Sequence, residues 1–172
     1  MRKKTLFWIS LTVSLLLGAC NPADQPLRIT GVTVTPDPVV GQIVTLEVEV
    51  MSTEDETDVV FTVDTLESAG NKIHLVSGEP RWQGSLTANQ PEVFQFSVCV
   101  VEEGSWPIDI TVVSYLPNNN GWADFEIIHL ESSVTSGRLI RGQDYTYSQE
   151  EATQRLTPRP ITVSPECSGQ QK

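Results

Sequence analysis

The 172-residue sequence is poor in the residues on which catalysis and nucleic-acid binding usually depend. It has 2 histidines, His74 and His129, and none of the common signatures of a nucleophile elbow, a zinc-binding helix or a phosphate loop. Lysine and arginine together number 11, against 22 aspartates and glutamates, which excludes a basic face that contacts phosphates. We therefore expect no enzyme, no cofactor or metal site and no nucleic-acid partner.

The sequence also lacks a continuous apolar run of the about 20 residues that a membrane-spanning helix needs. Its most apolar stretch, residues 6–17, follows basic residues at positions 2–4 and is followed by the small residues Gly18 and Ala19. That order is typical of a secretory signal. The closing Leu-Gly-Ala-Cys at residues 17–20 resembles the lipobox of bacterial lipoproteins.

The lipobox resemblance implies cleavage before Cys20, a diacylglycerol on its thiol and usually a fatty acyl chain such as palmitate on its new amino group. Residues 1–19 are then a lipoprotein signal peptide, and residues 20–27 are a lipid-anchored tether. We expect the protein on the extracytoplasmic side of the cell membrane or outer membrane. The alternative is an ordinary signal peptide followed by a coincidental cysteine.

Removal of residues 1–19 takes away three basic side chains, which moves the formal net charge from −11 to −14. A chain of this acidity is repelled by anionic lipid headgroups as well as by nucleic acid. We interpret the charge as a means of staying soluble. An acidic docking surface is the alternative.

Residues 28–141 alternate between apolar and polar side chains over several short segments that are separated by turns. Such a pattern predicts an all-β, antiparallel sandwich. Residues 134–140 are expected to form its last edge strand. Residues 142–172 are expected to be an extended C-terminal tail, in which prolines prevent regular structure. The side chains expected to fill the core are Val44, Leu46, Val48, Val50, Val59, Phe61, Val63, Phe94, Phe96, Val98, Val100, Trp106, Ile108, Ile110, Val112, Phe125 and Ile127.

Two parts of this region resemble immunoglobulin-like domains, including the cell-adhesion-related domains of bacteria and fibronectin type III-like modules. Residues 32–50 combine paired prolines, a glycine and a long alternating strand, and residues 103–110 carry a glycine followed by alternating aromatic and aliphatic residues. The resemblance implies an immunoglobulin-like sandwich of about seven to nine strands that binds or presents rather than catalyses. The chain departs from immunoglobulin domains proper because it lacks their Cys-Trp-Cys spacing.

The chain has 3 cysteines. If Cys20 carries lipid, Cys99 and Cys167 remain as an even pair in an exported protein, which favours a disulfide. Two unpaired thiols are the alternative. Because Cys99 alternates with Phe96 and Val98, it lies on the opposite face of its strand. The bridge is therefore expected to fasten the tail across the outside of one sheet.

Tryptophans are the candidate ligand-binding residues. Trp82, Trp106 and Trp122 could together offer a platform on which sugar rings stack, although we expect Trp106 in the core. Trp122 follows an Asn-rich turn and is the best candidate for an exposed aromatic ring.

Two further features have plainer interpretations. The acidic run at residues 54–58 could supply oxygen ligands to calcium, but it lacks the spacing of a calcium-binding loop, and we expect a solvated turn. His129 is expected to pack beside Phe125 and Ile127 rather than to act as a base.

The sequence thus predicts a non-enzymatic, lipid-anchored envelope protein with a binding or presentation module. Its expected partners are the membrane, through the lipid on Cys20, and an envelope protein or a polysaccharide. The alternative is an accessory or inhibitory subunit of an envelope enzyme or transporter.

Overall fold

The computed structural model describes residues 25–66, 69, 71–115, 121–142, 158–160, 162–163 and 167. Within them, nine strands between residues 27 and 141 form two sheets that pack face to face, and two short strands follow. The predicted all-β sandwich is confirmed. The strands are β1 (Leu27–Thr35), β2 (Ile43–Ser52), β3 (Glu56–Leu66), β4 (Ile73–Ser77), β5 (Arg81–Leu86), β6 (Glu92–Val100), β7 (Gly104–Ser114), β8 (Ala123–Ser132), β9 (Gly137–Arg141), β10 (Pro158–Pro160) and β11 (Thr162–Val163).

The smaller sheet has the order β1-β2-β6-β4-β11. The larger sheet has the order β10-β3-β7-β8-β9, and β5 also pairs with β3. All neighbours are antiparallel except β11 and β4, which run parallel. The Asn-rich turn that precedes Trp122 lies outside the described residues, apart from Gly121, and the strands on either side of it, β7 and β8, pair as a hairpin.

Strict alternation in β2 gives the strand its two faces. Val44, Leu46, Val48 and Val50 are each at most 1% exposed, while the residues between them lie on the outer face. A shift of one residue would turn all four side chains to water, so burial holds the register against β1 and β6.

Aromatic rings join the two sheets at the centre of the sandwich. Phe61 of the larger sheet stacks on Phe94 of the smaller one, with ring centroids 4.1 Å apart and planes inclined by 8°. The ring of Phe96 also stacks with that of Phe61, with centroids 6.1 Å apart. Stacking adds to the hydrophobic gain of these large side chains, so this cluster is a main source of the attraction between sheets.

The prediction for β8 was wrong by one residue. Phe125 was expected in the core but is 66% exposed, whereas Ile128 and Leu130 are fully buried there. Apolar residues occur on both faces of β8, at odd as well as even positions. Its pairing with β7 sets Ile128 beside the buried Ile108, so the even-numbered residues face the core. Ile127 is buried on the other face of the sheet, as is His129.

The last edge strand begins later than expected. Residues 133–136 form a turn in which the Ser133 amide donates to the Ser136 carbonyl at 2.8 Å. Val134 is 67% exposed in this turn, so β9 starts only at Gly137.

Within the C-terminal tail the structure describes two short strands, although the prolines were expected to prevent regular structure. Residues 158–160 pair with β3, and residues 162–163 pair with β4, so this short piece of chain connects the two sheets along one side. Pro158 and Pro160 are two residues apart in an edge strand. Their missing amides therefore point the same way, which leaves the intervening Arg159 amide able to pair.

Candidate functional site

Strand direction divides the sandwich into two ends. We call proximal the end at which β1 begins, which also contains the end of β7 and the start of β8. We call distal the opposite end, where β1 finishes, β7 starts and β8 finishes. Nine residues of extended chain separate the ends of β1, which is about 30 Å.

An open cleft of about 610 Å³ lies at the distal end. It is lined by the start of β7 at residues 104–105, the end of β8 at residues 131–133 and the start of β9 at residues 136–138. The cleft thus forms where three adjacent strands of the larger sheet meet the β8–β9 turn.

Hydrogen bonds hold the wall of this cleft in place. The Ser133 hydroxyl donates to the Ser136 carbonyl at 2.9 Å and accepts from the Ser136 amide at 3.0 Å. The buried Ser132 hydroxyl donates to the Pro38 carbonyl. A Cβ on Gly137 would lie 2.1 Å from that same carbonyl oxygen, so only glycine fits this close approach.

An ion pair forms the outer lip of the cleft. Arg138 Nε donates to Glu131 Oε2 at 2.5 Å, across the β8–β9 pair. The Arg138 hydrogen bond lowers the pKa of Glu131, and the same contact raises the pKa of Arg138. Both side chains remain accessible, so they can exchange this partner for a charged or hydroxylated ligand.

Ser105 connects the cleft to His129. Its hydroxyl lies 3.4 Å from His129 Nδ1, and the imidazole is fully buried. A nucleophile and its base normally approach to about 2.6–3.2 Å. His129 is thus a buried side chain with Ser105 as a polar neighbour, and it shares a face of β8 with Phe125 and Ile127, as the sequence predicted.

The three tryptophans of the body lie apart. Trp122 is at the proximal end and 37% exposed, in line with its expected accessibility. Trp106 is near the distal end, half-buried, and its Nε1 donates to the Glu102 carbonyl at 2.8 Å. Trp82 packs against Phe94 at 5.2 Å. A shared sugar-stacking platform is therefore not assembled.

Cys99 and Cys167 are joined by a disulfide, with their Cα atoms 6.2 Å apart. Both cysteines are buried, and Cys99 alternates with the core residues of β6, so the bridge lies on the outer face of the smaller sheet. This geometry agrees with a tail that is fastened across that face. Cys20 lies outside the described residues.

His74 is the cross-strand neighbour of Cys99, and sequence reasoning assigned it no role. Its Nε2 lies 2.5 Å from the Asn71 carbonyl oxygen, while its buried Nδ1 has no hydrogen-bond partner among the described residues. The sequence gives little indication that His74 lies beside the disulfide. Strand β4 has only five residues, and it is the pairing of β4 with β6 that brings the imidazole next to Cys99.

The acidic run at residues 54–58 is more ordered than the solvated turn we expected. Glu56 is 2% exposed and accepts a hydrogen bond from Ser114. Asp55 Oδ1 accepts from the Ala88 amide at 2.8 Å, and Asp58 Oδ1 accepts from Gln83 Nε2 at 2.9 Å. The carboxylates therefore hold neighbouring turns and strands. Across the described residues, no three acidic, histidine or cysteine side chains cluster as metal ligands.

Comparison of the chain with protein-family models and with curated proteins finds no match. In the part of the chain that the structure describes, no helix has the length and hydropathy to cross a bilayer.

Proposed function

We propose that this chain is an exported protein, held on the cell envelope by lipid on Cys20, whose immunoglobulin-like sandwich presents its distal cleft to a binding partner. The observation that carries the proposal is the opposition of the two ends. The chain enters the sandwich at the proximal end with Leu27, seven residues after Cys20, and the cleft lies at the other end. An anchor at Cys20 therefore directs the cleft away from the membrane.

Strand order supports the immunoglobulin-like assignment. In constant-type immunoglobulin domains the two sheets have the orders A-B-E-D and C-F-G. Here β1-β2-β6-β4 corresponds to the first order, and β3-β7-β8 corresponds to the second. The chain departs from that pattern in β4 and β5, because the strand that joins the smaller sheet precedes the one that pairs with β3.

Lipid attachment is tested by labelled palmitate and by membrane sedimentation in high salt. The wild-type protein should take up label and stay with membranes, and the Cys20→Ser variant should do neither. Cys167→Ser is the matched control, since it removes a cysteine outside the lipobox and should keep the label. An unlabelled wild-type protein, or one that salt releases from membranes, would contradict the proposal.

Binding at the cleft is tested by recovery of partners from detergent-solubilised envelope. Arg138→Ala should reduce recovery of a stoichiometric partner, because it removes the accessible cation of the lip. Arg81→Ala, on exposed β5, is the control and should leave recovery unchanged. Equal recovery of the partner with wild type, Arg138→Ala and Arg81→Ala would contradict the proposal that the cleft is the binding site.

The identity of the partner separates the two functional candidates. An envelope protein without activity of its own, or a polysaccharide, supports a presentation module. A stoichiometric envelope enzyme or transporter supports an accessory or inhibitory subunit. The fastened tail is the observation that favours this second candidate, because it offers a docking surface.

A further inference from the structure

We propose that the proximal end of the sandwich seats on the bilayer interface through an aromatic surface formed by Tyr115, Trp122 and Phe125. This inference rests on the proposed lipid anchor and extends it. The anchor alone holds the protein near the membrane, whereas the aromatic surface fixes how the sandwich stands on it.

Exposed apolar side chains are distributed unequally between the two ends. Among the described residues, Tyr115 is 57% exposed, Trp122 is 37% exposed and Phe125 is 66% exposed. All three flank the β7–β8 hairpin, and Val93, near the start of β6, belongs to the same half of the sandwich. Val134 is the exposed large apolar residue at the distal end. The surface is therefore a property of the proximal end and not of the fold as a whole.

The chain leading to Cys20 brings the lipid to this end. Five residues separate Cys20 from Gln25, so the sulfur attachment lies within about 18 Å of the first described residue. The path from there is fixed, because the Pro26 carbonyl accepts from the Thr53 amide at 3.0 Å and Pro26 itself is buried. A short chain that leaves a fixed point cannot place the lipid at the distal end, about 30 Å farther away.

The aromatic hairpin is tied to the same strand. The Ile29 amide of β1 donates to Asp124 Oδ2 at 2.8 Å, and Asp124 lies two residues after Trp122. The Trp122 carbonyl accepts from the Ser114 amide at 2.8 Å, which holds the hairpin closed beside Tyr115. These hydrogen bonds hold the base of the hairpin, with its exposed rings, against the beginning of β1.

The chemistry of these side chains fits an interface better than a hydrocarbon core. Tyrosine and tryptophan have an apolar body and a polar tip, and they gather at the headgroup level of bilayers. Glu54 and Asp55 are exposed at the same end and carry negative charge. The surface therefore favours zwitterionic headgroups, and anionic lipid opposes it through a repulsion that salt screens.

The test measures quenching of tryptophan fluorescence by brominated phosphatidylcholine, with the lipidated full-length protein reconstituted in vesicles. The wild-type protein should be quenched, and Trp122→Phe should lose most of that quenching. Trp106→Phe is the matched control, because it removes an indole near the distal end and should keep the quenching. Replacing part of the lipid with phosphatidylglycerol at low salt should weaken the effect, and added salt should restore it.

Two negative outcomes are distinguishable. A protein that carries lipid by mass spectrometry and sediments with vesicles, yet is quenched equally with and without Trp122, overturns the seating and leaves the anchor intact. A protein without lipid at Cys20 overturns both. Quenching that rises with phosphatidylglycerol would contradict the role given to the acidic side chains.

Discussion

Glu56 at the start of β3 accepts a hydrogen bond from the hydroxyl of Ser114 at the end of β7, and both residues are almost completely buried. The contact joins two neighbouring strands of the larger sheet at the proximal end. A buried carboxylate is costly unless hydrogen bonds compensate for lost water. The hydrogen bond between Glu56 and Ser114 therefore contributes more to stability than is expected of a residue in an acidic, turn-like segment.

Loss of that donor should destabilise the protein. Ser114→Ala leaves the buried Glu56 carboxyl without its partner, and we expect the free energy of unfolding to fall by about 1–3 kcal/mol. Urea denaturation followed by circular dichroism measures the change. Ser85→Ala is the control, since Ser85 is exposed and donates to the Thr57 carbonyl, and it should stay within about 0.5 kcal/mol of wild type. Equal losses in both variants would show that the buried contact has no special weight.

The aromatic cluster makes a second prediction, and it tests the register of β8 as well. Phe61→Ala should cost about 3–5 kcal/mol, because it removes a fully buried ring that stacks on Phe94. Phe125→Ala should change stability by less than about 0.5 kcal/mol, because its side chain is largely in water. A large loss of unfolding free energy in Phe125→Ala would indicate that Phe125 is buried in the core. That result would contradict the observed pairing of β7 with β8.

The sequence alone predicted which side chains are buried in those strands where the apolar residues fit only one register. In β2 the buried valines and leucine alternate with threonine and glutamate, so a single register is possible. In β8 the run Phe125-Glu126-Ile127-Ile128-His129-Leu130 is apolar in both registers, and the choice is made by β7 and β9. Local pattern cannot decide between two faces that are both acceptable.

The candidate cleft was beyond sequence reasoning for a different reason. Its lining comes from residues 104–105, 131–133 and 136–138, and the first of these segments is next to the others only because β7 pairs with β8. Residues 104–105 belong to the stretch that resembles immunoglobulin-like domains, but that resemblance does not indicate a cleft.

The disulfide was predicted from the sequence, because Cys99 and Cys167 remain as an even pair once Cys20 is assigned to lipid. Their burial beside His74 could not be predicted in this way, because it depends on the pairing of β4 with β6.

The disulfide should be a large contributor to stability. Its cysteines are 68 residues apart in the sequence, and closing a loop of that length removes entropy from the unfolded chain worth roughly 4 kcal/mol. Cys167→Ser should lower the free energy of unfolding by that order. Peptide mapping without reduction should recover Cys99 joined to Cys167. Two alkylatable thiols at Cys99 and Cys167 in the native protein would contradict the pairing.

The pH dependence of stability gives the last prediction, through Asp64 of β3. Partial burial raises the pKa of Asp64 above its ordinary value of 3.8, and the positive charge of Arg81 acts in the opposite direction. A carboxyl whose pKa is higher in the folded than in the unfolded protein binds more protons when folded. The contribution of Asp64 to the free energy of unfolding is therefore least unfavourable at low pH. That free energy falls as the pH rises from about 3.8 through the raised pKa of the folded protein.

Asp64→Asn removes this titration. Relative to wild type, the variant should gain stability as the pH rises through that window, and the difference should level off above it. Arg81→Ala should enlarge the wild-type loss, because the pKa of Asp64 then rises further. Urea denaturation between pH 3 and pH 7 measures all three proteins. A difference between wild type and Asp64→Asn that stays flat across this range would show that Asp64 titrates alike in the folded and unfolded chains.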